Sequence, residues 1–111
     1  MIKTSAQGAV QVFAVEGPLN VEEAGRLNEA VAAAPRAGRP QWVVDLAETP
    51  LIDSAGCESL LDARDAAVAV GGGVHLAALS PLCRDILTVT GVIRYFQVFE
   101  GVKEAVGQYS R

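Results

Sequence analysis

The stretch LIDSAGCESLL, residues 51–61, runs from an apolar pair through an acid, a serine and two residues with little or no side chain, then returns to leucines at helical spacing. Such a change of period marks a strand handing over to a helix. Ser54 admits two readings at that junction. As an N-cap, its oxygen would accept a hydrogen bond from a free backbone N–H one turn ahead, worth about 1 kcal/mol. As an exposed hydroxyl, it would sit in a loop at the carboxyl end of a strand, where open α/β sheets present their functional groups. Ala55 and Gly56 give it little steric cover, and the helix dipole there tolerates an anion.

Working outward, QWVVDLAE (41–48) reads as a central strand, because consecutive Trp42, Val43 and Val44 suit a strand covered on both faces. The helix after Ser54 is expected over about residues 54–70, with Cys57, Leu60, Leu61, Ala67 and Val68 on its apolar face and Arg64 laying its stem along the surface. Gly71–Gly73 stops it. VHLAAL (74–79) is a further strand, and SPLCRDILTVTG a helix capped by Ser80, opened by Pro81 and closed by Gly91. A short strand near FQVF and a last helix from EGVKEAV complete the chain.

Upstream, AVQVFAV (9–15) is a strand that ends at Gly17 and Pro18, and residues 2–6 can pair with it as a hairpin across AQG. In NVEEAGRLNEAVAAA, Asn20 is a good N-cap and Glu23 follows at capping-box spacing. Val21, Ala24, Leu27 and Val31 keep the helical period, and the helix ends before PRAGRP. Strands and helices alternate from residue 41 onward. The expectation is a single α/β domain over residues 1–111, a mixed sheet of about four to five strands packed by about four helices.

A chain of 111 residues, half of them hydrophobic and a fifth charged, suits one folded unit. Its net charge of −4 disfavours nucleic acid and anionic membrane surfaces, which attract proteins through lysine and arginine. No apolar run approaches the ~20 residues that span a bilayer, and MIKTSAQGAV lacks the core of a secretion signal. The expected location is the cytoplasm, with no direct nucleic-acid contact and no membrane insertion.

Catalytic parts are sparse. Cys57 and Cys83 are too few and too far apart for a disulfide framework or zinc site and read as small buried residues. The single histidine, His75, lies within a strand, with no second histidine and no nucleophile elbow. GGGVH (71–75) follows a helix and enters a strand, the reverse of a phosphate loop, so its glycines read as a helix stop. Nothing assembles a nucleophile, base and oxyanion site, and no cofactor or metal is called for.

The run from VVDL (43–46) through IDSAG (52–56), the paired leucines at 60–61 and the glycine cluster to SPLCRDILTVTG, followed by FQVF, resembles the STAS domain, the module shared by sulphate transporters and anti-sigma-factor antagonists. The likeness spans about residues 9–107. The resemblance implies that Ser54, immediately after Asp53, is a phosphorylation site. The implied partners are a serine kinase that is itself the anti-sigma factor and a phosphatase that reverses it. Asn20, Asp53, Ser54, Ala55, Gly56 and Glu58 are then the expected partner-binding positions. A phosphoserine adds about −1.5 to −2 charge, and Asp53 and Glu58 stand beside it.

The sequence departs from that branch at Ala55, Cys57 and Glu58 in the turn, and at Asn20, where many antagonists carry aspartate. A second reading is therefore a non-catalytic adaptor that docks constitutively on a larger assembly, such as a lipid-transport ABC complex, a stressosome-like scaffold or a chemoreceptor cluster. The first strand leaves a sheet edge through which a weak homodimer could form. A nucleotide bound by the domain itself has no phosphate loop to support it.

Overall fold

The structure is a computed structural model that describes residues 1–35 and 38–110. A hairpin opens the chain: β1 (Ile2–Gln7) pairs antiparallel with β2 (Val10–Glu16). Gln7 faces Val10, so the turn is Gly8–Ala9 rather than AQG, and Gly8 takes the φ of +62° that the tight reversal demands. Then follow α1 (Val21–Ala33), β3 (Gln41–Glu48), α2 (Ser54–Val68), β4 (Gly73–Ala77), α3 (Pro81–Val89), a 3-10 turn (Val92–Tyr95), β5 (Gln97–Phe99) and α4 (Val102–Gln108). Residues 36 and 37 of the PRAGRP loop lie outside the described residues.

The sheet order is β1-β2-β3-β4-β5, with every pair after the hairpin parallel. The period-2 alternation of each strand divides two cores. Phe13, Val15, Trp42, Val44, Leu46, Val74 and Leu76 join Leu27, Val31, Leu60, Ala67, Cys83 and Leu87 on the face covered by α1, α2 and α3. Val10, Val12, Val43 and Ala77 pack on the other face against Ala105, with Val102, Val106 and Tyr109 from α4 around it. Consecutive Trp42, Val43 and Val44 are thus buried on alternate sides, as a doubly covered strand requires. Phe13 meets Trp42 edge to face at 5.8 Å.

Both cysteines are buried and free, and His75 is a buried strand residue. Ser80 caps α3 by accepting from the Cys83 N–H at 3.1 Å, Pro81 is the first helical residue, and Gly91 leaves the helix at φ +77°. Arg64 lies along the surface as expected, its Nε donating to the Tyr95 carbonyl at 3.2 Å and its guanidinium 5.2 Å from the Tyr95 ring.

Two expected faces need correction. Val21, in the apolar period of α1, is 71% exposed, being the first residue of the helix. Val68 is likewise exposed on α2, while Ser59 and Ala63 are buried, Ser59 with its hydroxyl donating to the Gly56 carbonyl at 2.8 Å.

Candidate functional site

The parallel strands β2, β3 and β4 each feed a helix, so α1, α2 and α3 all begin at the carboxyl edge of the sheet. Past the strand ends, the β2–α1 and β3–α2 loops remain zipped together. Gly17 N–H donates to the Glu48 carbonyl at 3.0 Å, Leu19 N–H to Leu51 at 2.9 Å, and Asp53 N–H to Leu19 at 3.2 Å. Leu19 and Ile52 form an isolated parallel bridge. Two residues beyond that pair stand Val21 and Ser54, the first residues of α1 and α2, so the two helix starts lie side by side. Thr49 anchors the arrangement from below: its hydroxyl donates to the Val15 carbonyl at 3.0 Å, and its own carbonyl accepts from Cys83 Sγ at 3.3 Å.

Gly56 is what lets the loops close. A Cβ built there would lie 2.2 Å from the Leu19 carbonyl oxygen and 2.8 Å from Ile52 Cγ2. The glycine is therefore buried and holds α2 against the neighbouring loop, rather than uncovering Ser54 as its small size suggested.

The cap also differs from the sequence expectation. Asp53, extended at φ −96° and ψ −173°, is the N-cap of α2, and its Oδ1 accepts from the Gly56 N–H at 2.9 Å. A carboxylate does this better than a hydroxyl because it also brings charge to the positive end of the helix. Ser54 falls one position later, at the first helical residue, exposed, and its hydroxyl has no hydrogen-bond partner among the described residues. The reading that made Ser54 the cap is replaced, and the one that made it a reachable hydroxyl gains.

Asn20 is the N-cap of α1, its Oδ1 accepting from the Glu23 N–H at 3.2 Å. The capping box is only half made. Glu23 does not return to Asn20; its carboxylate is paired with Arg26 and lies 2.6 Å from the Met1 ammonium, near enough for an ion pair though not aligned as a hydrogen bond. The ammonium, outweighing the cost of burial, holds the Glu23 carboxyl below the ordinary range.

Ala55 is half-buried, and Glu58 is exposed one turn after Ser54. No cation among the described residues pairs with Asp53 or Glu58, and Glu22 and Glu48 are exposed on the same edge. Cys57 lies beneath the first turn; burial pushes its thiol up, with the Thr90 hydroxyl pulling the other way.

The sequence reading missed an apolar component of this edge. Val21, Leu51 and Leu82, each in the first turn of a helix or the loop before one, are exposed by 71%, 39% and 53%. Helical and strand periodicity cannot reveal them, because each obeys the pattern of a core residue or falls in a loop. Together the edge offers an exposed hydroxyl between carboxylates, with aliphatic side chains around it. Among the described residues no group of three or more His, Cys, Asp or Glu could bind a metal, and no helix is long and apolar enough to cross a membrane.

This fold recurs in solved structures. An anti-sigma factor antagonist from Mycobacterium paratuberculosis superposes with a TM-score of 0.87 at 21% identity, covering 100% of this chain and 94% of that one. A sulfate transporter family protein from Wolinella succinogenes gives 0.83 at 18%, covering 96% and 88%. The anti-sigma factor antagonist SpoIIAA in its unphosphorylated form gives 0.77 at 17%, covering 99% and 96%. No curated protein matches the chain significantly in sequence. The family model described as "Mlab, STAS domain" matches residues 2–98, from the first strand through the helix-bearing edge just described to β5, and the chain therefore belongs to the STAS family.

Proposed function

We propose that the chain is a cytoplasmic anti-sigma-factor antagonist whose partner choice is switched by phosphorylation of Ser54. One observation carries this reading: the Ser54 hydroxyl is exposed, with no hydrogen-bond partner among the described residues, at the first residue of α2, because Asp53 has taken over the cap. A kinase can reach such an oxygen without breaking the helix. The phosphate would then lie at the positive end of α2, where the N–H groups of the first turn and the dipole favour an anion, so the fold itself tolerates it.

The cost falls on the complex. Asp53 and Glu58 flank the position and no cation among the described residues pairs with them, so a phosphate there must be desolvated or paired by the partner. Val21, Leu51 and Leu82 supply apolar area for a partner that binds the unmodified form. The chain acts by binding; the ATP belongs to the serine kinase, and a phosphatase restores the hydroxyl. Two of the structural relatives named above are themselves anti-sigma factor antagonists.

A second reading is a constitutive adaptor subunit of a larger assembly, for example a lipid-transport ABC complex. Glu58 favours it, since a carboxylate one turn from the acceptor is bulk and charge where a kinase must dock, and the apolar rim would serve permanent attachment equally well. The experiment is incubation with ATP and a serine kinase of the anti-sigma type, followed by mass spectrometry of wild type and Ser54→Ala. Phosphate on Ser54 of the wild type alone supports the switch. A stable complex with an ATPase subunit that Ser54→Asp leaves intact supports the adaptor.

A further inference from the structure

The GGGVH segment leads to the opposite end of the sheet from Ser54. There Arg39, Gln41, Gly71, Gly72, Gly73, His75 and Tyr109 line a cleft of about 310 Å³, the lower end of the size range of small-molecule sites. Two of the three glycines are required by the backbone. Gly71 has φ +83°, and a Cβ on Gly72 would lie 2.1 Å from the Pro40 carbonyl oxygen. Gly73 is different: its φ is ordinary, and a Cβ would meet only the Tyr109 hydroxyl at 3.7 Å, a normal contact. The fold does not need glycine at 73, yet glycine keeps the floor of the cleft bare.

The polar groups around that floor converge on one kind of ligand. The Arg39 stem lies over Gly71, its Cγ, Cδ and Nε each 3.6–3.7 Å from where a Cβ would be, and its guanidinium pairs with no carboxylate among the described residues. His75 is fixed in place: its ring stacks on Tyr109 at 4.0 Å and 3°, with Phe99 at 5.0 Å on the β5 side. Its Nδ1 is 3.2 Å from the Ala105 carbonyl, which can only accept, so Nδ1 carries the proton. Burial holds the ring's titration below its ordinary value and keeps it neutral. The remaining polar atom of His75 is then the Nε2 lone pair, an acceptor. Tyr109, its hydroxyl pushed up to about 12 mainly by burial, is committed as a donor to the Trp42 carbonyl at 2.8 Å.

We propose that this cleft binds a small oxyanion that also carries a proton to give, such as hydrogen phosphate or the monoanion of a phosphate monoester, with the charge on Arg39 and the proton donated to His75 Nε2. A guanidinium offers the fork that such groups fill, and the neutral imidazole selects for the donor. The site is independent of the Ser54 reading and stands or falls without it.

The single histidine makes the test direct. The ring nitrogens of His75 in the 111-residue chain are followed by NMR while inorganic phosphate or acetate is added at constant ionic strength. Phosphate is expected to shift them with saturation in the millimolar range. Arg39→Gln, an exposed substitution, should weaken binding by about tenfold or more, the loss expected of a charge-assisted contact. Gly73→Val should abolish it by filling the floor. Acetate, an oxyanion with no proton to give, should bind more weakly. Shifts that grow linearly without saturating, or a phosphate affinity unchanged in Arg39→Gln, would overturn the site; equal affinity for acetate would overturn the role of His75.

Discussion

Gly56→Ala is the substitution whose sign the geometry decides. In the first turn of an ordinary exposed helix, replacing glycine by alanine stabilises by up to about 1 kcal/mol. At position 56 the new methyl would lie 2.2 Å from the Leu19 oxygen and 2.8 Å from Ile52 Cγ2. The loop or the helix must retreat by roughly 1 Å, an overpacking shift that costs about 1–3 kcal/mol. The same retreat stretches the bond from Asp53 N–H to the Leu19 carbonyl, 3.2 Å in the native chain, which adds up to about 1 kcal/mol. After the propensity gain, the net expectation is a loss of about 1–3 kcal/mol. Gly25, in the middle of α1, is the internal control: a Cβ there meets nothing within 4 Å, so Gly25→Ala should stabilise by up to about 1 kcal/mol. Urea unfolding followed by the single tryptophan, Trp42, measures both. If Gly56→Ala proves as stable as wild type, or moves in the same direction as Gly25→Ala, the close approach of the two loops is wrong.

Further expectations concern the cap, the left-handed residue and the buried histidine. Asp53→Ala should cost about 1 kcal/mol in urea unfolding while Ser54→Ala stays within about 0.5 kcal/mol, and the reverse order would return the cap to the serine. Ala78 leaves β4 at φ +61°, a conformation glycine adopts without strain, so Ala78→Gly should raise stability by about 1 kcal/mol; a loss there would contradict the backbone at the entry to α3. His75 is neutral in the native state with a pKa below the ordinary 6.5, so the unfolded chain takes up its proton first as the pH falls. Its contribution is complete above about pH 6.5 and is lost as the pH drops from there through the native value. In His75→Phe the slope of stability over that window should flatten, and an unchanged slope would show that the ring is not protected from protonation.

The strands β2 and β3 and the caps of α1 and α3 were legible in the sequence because each rests on local chemistry: runs of β-branched and aromatic side chains, Asn20, and the Ser80–Pro81 pair. The Ser54 turn was only partly legible. In the sequence Asp53 and Ser54 are both good caps, and which one accepts from Gly56 depends on where the loop leaves Leu19, a contact thirty-odd residues away. The role of Gly56 is invisible for the same reason, since a glycine demanded by another loop's carbonyl looks like one that merely loosens its own. The aliphatic rim of Val21, Leu51 and Leu82 was hidden because helical spacing says which side chains share a face and not whether anything covers the first turn. His75 read correctly as a strand position and Gly71–Gly72 as a helix stop, with Gly73 already opening β4, but the cleft they share with Arg39 and Tyr109 forms only when α4 returns to the foot of the sheet.

The central claim is tested most directly by measuring, with calorimetry, the affinity of the serine kinase for the chain before and after stoichiometric phosphorylation at Ser54. The switch account predicts tight binding of the unmodified chain and a fall of at least about a hundredfold on phosphorylation, the scale of an uncompensated charge at an interface. An affinity that phosphate on Ser54 leaves unchanged would contradict it.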